Sequence, residues 1–179
     1  MLDSKSWYDG PEAKLHIING LIAGGDLQKF AKEQFPVNLA VLKRHCRQIL
    51  AAVAMLHNHN IIHRDLKPEN IYIMEDTGDI LIGDFGLSTK RKMGGTKSTL
   101  GTPEFMAPEQ FDPTKSYDYR VDIYAIGLVA LSLIVAEDPY SECEGNIAYI
   151  FNAIYEEKRP PELVIEEEKG GEGEERVND

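Results

Sequence analysis

The chain has 179 residues, 42% of them hydrophobic, with 30 acidic against 19 basic side chains and a formal net charge of −11. That length suits one domain with a substantial core, and with no basic stripe to neutralise phosphates a nucleic-acid partner is excluded. Two cysteines, Cys46 and Cys143, are too sparse for a disulfide framework and fit a reducing, cytoplasmic compartment.

In chain order, residues 1–14 are polar and turn-rich, with Asp9-Gly10-Pro11, and carry no signal-peptide pattern. Residues 15–22 form an apolar run that predicts a strand, broken by Gly24-Gly25. Asp26 reads as the N-cap of a short helix ending before Pro36, and Asn38 as the cap of a longer one reaching about Asn58. Leu39, Leu42, Cys46, Ile49, Val53 and Leu56 recur at three- and four-residue steps, the buried face of that helix. Residues 71–74 and 80–83 predict a hairpin around Asp76-Thr77-Gly78-Asp79. Residues 84–109 lack periodicity and read as loop. Residues 121–136 predict a helix apolar on all sides and hence central, though too short to span a bilayer. An amphipathic helix follows from Asn146 to about Glu157, with Tyr149, Phe151 and Tyr155 as packing residues. Beyond Pro160-Pro161 the chain is Glu- and Gly-rich, and residues 161–179 are expected to be a disordered acidic tail.

Three motifs stand in order. Residues 63–70 read His-Arg-Asp-Leu-Lys-Pro-Glu-Asn, residues 84–86 Asp-Phe-Gly, and residues 107–109 Ala-Pro-Glu. One tripeptide could arise by chance; three at this spacing are specific. The set resembles the catalytic loop, metal-binding element and activation-segment end of protein kinases. The resemblance implies ATP, Mg²⁺ and a protein substrate. It makes Asp65 the group that orients and deprotonates the attacking hydroxyl, and Lys67 the charge beside the transferred phosphoryl group. Lysine at that place is similar to serine/threonine-specific kinases. Asn70 and Asp84 would be the hard oxygen ligands of Mg²⁺. Arg64 would hold an anion on the activation segment, where Ser98, and less so Ser88 and Thr99, would accept phosphate. Thr102 would contact the catalytic aspartate. Asp122 would accept backbone N–H bonds from the catalytic loop, a structural role. His63 is a core residue near Phe85 on this reading.

Residues 101–109, Gly-Thr-Pro-Glu-Phe-Met-Ala-Pro-Glu, are similar to the with-no-lysine (WNK) serine/threonine kinases. So are Pro139-Tyr-Ser-Glu-Cys143, residues 46–50 and Tyr124-Ala125, and the likeness runs from about residue 15 to 158. It implies an activating phosphoserine at Ser98 and an aromatic floor under adenine at Tyr72. The backbone of Gly20 and Ile22 would meet the adenine edge, with Asn19 at the gatekeeper position. A downstream kinase is among the substrates so implied. Phe85 stands where that family has the leucine of its chloride-sensing pocket, so chloride regulation does not carry over. Pro68-Glu69 also departs from the family.

The expected fold class is therefore α+β: a protein-kinase-like fold, a mostly helical C-lobe with a remnant of the N-lobe sheet. Residues 1–14 are assigned to the N-lobe remnant and 15–160 to a kinase domain truncated at both ends. No G-x-G-x-x-G or V-A-I-K precedes residue 15. A weakened hold on ATP phosphates is expected, as is an open strand edge. Glu109 of Ala-Pro-Glu would lack its late arginine, and orphaning half of a buried ion pair costs roughly 3–5 kcal/mol. Three functions remain open: an active serine/threonine kinase seen in part, a truncated, catalytically inactive kinase-like protein acting as a binding or regulatory module, and a small-molecule phosphotransferase. The third is disfavoured by the activation-segment motifs.

Overall fold

The computed structural model describes residues 5–9, 14–18, 20–90 and 94–156. Asn19 and the acidic tail lie outside them. Strands β1 (Lys5–Asp9) and β2 (Lys14–Ile18) form an antiparallel pair with Lys5 opposite Ile18 and Asp9 opposite Lys14. The sequence reading had no strand before residue 15 and ran the next one to residue 22. Trp7 and Tyr8 are good strand formers, and backbone pairing with β2 outweighs the polar residues around them.

Helix α1 (Leu27–Glu33) starts where Asp26 accepts the Lys29 N–H at 2.8 Å. Helix α2 (Leu39–Asn58) starts where Asn38 accepts the Ala40 N–H at 2.8 Å. Each cap satisfies a donor that the first helical turn leaves orphaned. The buried face of α2 is His45, Ile49, Val53 and Leu56. Leu39, expected on that face, is 61% exposed. Periodicity located the stripe, but at the start of α2 only Leu42 packs against the core, half-buried. Burial begins one turn later, where the His45 ring meets Phe30 of α1 edge-on at 5.2 Å.

After α2 come β3 (Ile61–Ile62), then β4 (Ile71–Ile73) and β5 (Ile80–Ile82), an antiparallel hairpin with Tyr72 opposite Leu81. Among its described residues, the stretch expected as loop is irregular apart from β6 (Thr89–Lys90), which pairs with β3, and short 3-10 turns at Phe85–Leu87, Pro103–Phe105 and Pro108–Gln110. Helix α3 (Arg120–Val135) and helix α4 (Ile147–Tyr155) complete the order. Asn146 caps α4 by accepting the Ala148 N–H at 3.0 Å. The described residues are thus mostly helical with small antiparallel sheets, an α+β fold.

The main core joins Leu27 and Ala31 of α1, Ile49 and Val53 of α2, Leu66 of the loop after β3, Ile71, Ile73 and Ile82 of the hairpin, and Val129 and Leu133 of α3. Each such aliphatic side chain contributes about 1.5–3 kcal/mol by leaving water. Helix α3 is central as expected, but Ile123 and Ile134 are half exposed. Of the α4 aromatics, Tyr149 and Tyr155 are largely exposed, whereas Phe151 packs as expected, edge-on to Phe111 at 5.5 Å and stacked on Tyr155 at 6.1 Å. Among the described residues, no helix is long and apolar enough to cross a membrane.

Candidate active site

The loop between β3 and β4 is anchored from below by α3. Asp122, 1% exposed, accepts the His63 N–H and the Arg64 N–H at 2.9 Å each, and the His57 ring lies 2.8 Å from its Oδ2. A buried carboxylate is tolerable only when its lone pairs are filled in this way. His63 faces the Gly83 carbonyl through Nε2 at 3.0 Å, and the Asp65 N–H points at its Nδ1 at 3.4 Å. Those partners select the tautomer with the proton on Nε2. Its ring meets Phe85 edge-on at 5.0 Å.

Asp65 is thereby held at the surface of the core. Its Oδ1 accepts the Thr102 N–H at 3.0 Å and the Thr102 hydroxyl at 2.7 Å; its Oδ2 accepts Asn70 Nδ2 at 2.9 Å. These bonds fill three of the roughly four lone-pair sites of a carboxylate. One stays open to an incoming hydroxyl. Asn70 also donates to the Asp65 carbonyl at 2.8 Å. Its amide nitrogen is committed to Asp65, and its Oδ1 is the atom with lone pairs to offer.

The β4–β5 hairpin brings Asp84 alongside. The Gly83 N–H donates to the Asn70 carbonyl at 2.9 Å, continuing the strand register to the residue before Asp84. Asp84 is exposed in a left-handed conformation (φ 52°), its Oδ1 accepting the Gly86 N–H at 3.2 Å. An amide oxygen and a carboxylate on adjacent strand ends form an all-oxygen donor pair, the chemistry that a hard divalent cation such as Mg²⁺ takes. Lys67 is half-buried just ahead of the Pro68–Asn70 turn.

Tyr72 sits mid-strand in β4, half-buried. The linker carrying exposed Gly20 and half-buried Ile22 docks on that strand, the Ile73 N–H donating to the Gly25 carbonyl at 2.9 Å. A Cβ on Gly24 would lie 2.1 Å from the Ile73 carbonyl oxygen, so only glycine permits this approach.

Beyond the hairpin, Arg64 (φ 71°) donates through Nε to the Leu87 carbonyl at 2.6 Å and through a terminal nitrogen to Ser98 Oγ at 2.8 Å. Tyr117, 4% exposed, brings its hydroxyl within 2.8 Å of the same Ser98 Oγ and donates to the Ser98 carbonyl at 3.0 Å. Gly101 (φ 135°) lies where a Cβ would come 2.9 Å from the Arg64 carbonyl oxygen, which threads the segment close enough for Thr102 to reach Asp65. Glu109 is half-buried.

The structure therefore draws Arg64, Asp65, Asn70, Thr102 and Asp122 into one hydrogen-bonded unit, with Asp84 beside it and Ser98 at its edge. Of Gly20, Ile22 and Tyr72, the structure shows only that the linker after residue 20 docks on the strand that carries Tyr72. Two participants escaped the sequence reading. His57 was passed over for lacking metal-ligand spacing, and Tyr117 carries no local pattern; both act through partners at least 19 residues away.

The protein kinase domain model matches residues 4–169. The chain belongs to the protein kinase family. Among its relatives are a serine/threonine-protein kinase WNK of Caenorhabditis elegans, 41% identical over 84% of this chain, and one of Drosophila melanogaster, 40% identical over 86%. A probable serine/threonine-protein kinase WNK9 of Oryza sativa is 43% identical over 87%. The chain spans 8%, 6% and 37% of the length of these relatives, respectively. Kinase domains in general use ATP with Mg²⁺ and act on proteins, and the all-oxygen pair of Asn70 and Asp84 is compatible with that.

Proposed function

We propose that this kinase chain carries the catalytic lobe of a serine/threonine protein kinase similar to the WNK group, together with a remnant of the N-lobe sheet. The reaction is transfer of the ATP γ-phosphoryl group to a serine or threonine hydroxyl of a protein, a downstream kinase among the candidates. The observation that carries this reading is the Asp65 carboxylate, fixed by Thr102 and Asn70 with one lone-pair site left open.

Phosphoryl transfer asks a protein for positioning and charge more than for covalent chemistry. Asp65 accepts the hydrogen bond of the incoming hydroxyl, aims its oxygen at phosphorus and takes its proton. Lys67 supplies a positive charge beside the oxygens of the group in transit. Asn70, through its amide oxygen, and Asp84 would hold Mg²⁺, which would supply positive charge against the phosphates. Tyr72 underlies the adenine, and the backbone of Gly20 and Ile22 meets its edge. Arg64, anchored on Leu87, holds a phosphate on Ser98 once that hydroxyl is modified. Asp122 and Glu109 serve structurally. The free Cys46 and Cys143 support a reducing, cytoplasmic setting. As to boundaries, the reading keeps a remnant in 1–14, the kinase domain in 15–160 and an acidic tail in 161–179.

The test is phosphate incorporation from labelled ATP and Mg²⁺ into protein and peptide acceptors bearing serine, threonine or tyrosine, with small alcohols as controls. Label on serine and threonine, abolished by Asp65→Asn with unfolding behaviour unchanged, is the expected result. A folded wild-type chain that binds partners but transfers no phosphate would replace this reading with that of a kinase-like binding or regulatory module.

A further inference from the structure

Gln110 follows the Ala-Pro-Glu motif and is assigned no role above. It is 3% exposed, an unusual place for an amide unless both of its ends are satisfied. Its Oε1 accepts the Ala107 N–H at 2.9 Å, and its Nε2 donates to the Leu100 carbonyl at 3.2 Å. The first bond is an ordinary helix-cap contact, from the end of the Pro108–Gln110 turn back to its start. The second is not. It reaches ten residues back, to the residue just before Gly101-Thr102. One side chain thus pins both ends of residues 100–107, and the side chain that this segment delivers to the centre is Thr102, bonded twice to Asp65. Gln110 also shares with Arg64, Asp65, Thr102 and Asp122 the lining of one small cavity beneath the centre.

We propose that Gln110 is a positioning residue for phosphotransfer, holding Thr102 against Asp65 by clamping residues 100–107 at both ends. The inference rests on the kinase reading for its rate consequence and on geometry alone for the clamp. A long apolar side chain at 110 would fill the same space yet leave the Ala107 N–H and the Leu100 carbonyl unpaired, freeing the segment to shift. A shift of about 1 Å at a catalytic group can cost on the order of 100-fold in rate.

The experiment compares the full chain with Gln110→Met and Gln110→Glu, reading amide hydrogen exchange at Ala107 and Thr102 together with kcat and the KM for ATP. In Gln110→Met, exchange is expected to rise at Ala107 and at least tenfold at Thr102, with kcat falling at least tenfold and the KM for ATP unchanged. Gln110→Glu keeps the acceptor for Ala107 but loses the donor to Leu100. Its Thr102 protection, relative to wild type at the same pH, is expected to recover as the pH falls and the carboxyl gains a proton to donate. Faster exchange at Ala107 with Thr102 and kcat unmoved would overturn the proposal. If Gln110→Met does not fold, Gln110→Glu decides alone, and a Thr102 protection ratio that is flat with pH overturns it. If the wild type transfers no phosphate, the kinase reading has failed, while coupled exchange at Thr102 still upholds the clamp and uncoupled exchange rejects it.

Discussion

Asp65 can do little by itself; its usefulness comes from what fixes it. The Thr102 hydroxyl at 2.7 Å supplies one of the three bonds that orient the carboxylate. Thr102→Val keeps the shape and the backbone donor but removes that bond. Phosphotransfer is expected to fall about 10- to 100-fold, mainly in kcat, measured with saturating ATP. Asp122 is a harder case. It receives the His63 and Arg64 N–H groups and faces His57. Asn in its place would turn an NH₂ towards donors, and hydrogen bonds to a charged group are worth about 1.5–3 kcal/mol each. Asp122→Asn is therefore expected to destabilise the chain by at least one such bond in urea unfolding. Its loss of phosphotransfer should exceed the loss of folded protein, because the catalytic loop hangs on those two N–H groups.

At the scale of elements, α2 is joined to the hairpin turn by three polar side chains. Arg44 donates to the Thr77 carbonyl at 2.8 Å and pairs with Asp79, Gln48 donates to Asp79, and buried His45 lies 3.4 Å from the Gly78 carbonyl. Burial holds the His45 pKa below its ordinary 6.5; the Gly78 carbonyl opposes that shift, Arg44 adds to it, and Asp79 opposes it. The sign follows from proton counting. The unfolded chain takes up the His45 proton near pH 6.5 while the folded chain resists it, so this contribution to stability is complete above that pH and is lost as the pH falls below it. Melting curves between pH 7.5 and 5 should show the decline, and His45→Phe should flatten it. Asp79, held below the usual carboxylate range by Gln48 and Arg44, acts in a separate, more acidic window. Because the same hairpin carries Asn70 at one end and Asp84 at the other, loosening its turn also loosens the spacing of the proposed Mg²⁺ ligands.

For the molecule as a whole, the proposed cation site exists only when the hairpin is formed and Asn70 is held against Asp65. A ligand that binds only the folded site stabilises the folded state by mass action, about 2.7 kcal/mol at a hundred times its dissociation constant. A non-hydrolysable ATP analogue is expected to raise the melting temperature more with Mg²⁺ than without. Asp84→Ala should remove the Mg²⁺-dependent part and leave the remainder; an equal rise in both proteins would reject Asp84 as a ligand.

Local chemistry was enough to locate the caps at Asp26 and Asn38, the start of the last helix at Asn146, the hairpin around residues 76–79 and the long helices. A cap is decided by its own side chain and an amide two or three residues away, and a turn by neighbours. Local order was also enough to assemble the three motifs that mark the family. It could not place β1, whose polar strand is held by its partner, nor the exposure of Leu39, Ile123 and Ile134, which depends on what lies opposite each helix. Nor could it find His57, Tyr117 or Gln110, whose partners stand 65, 19 and 10 residues away in sequence. The sequence by itself determined which side chains could do phosphotransfer chemistry, because that is a matter of residue type and spacing. The tertiary structure decided which of them touch. Hydrogen bonds act over about 3 Å, and only the packing of α3 and the activation segment against the catalytic loop brings distant residues within that reach.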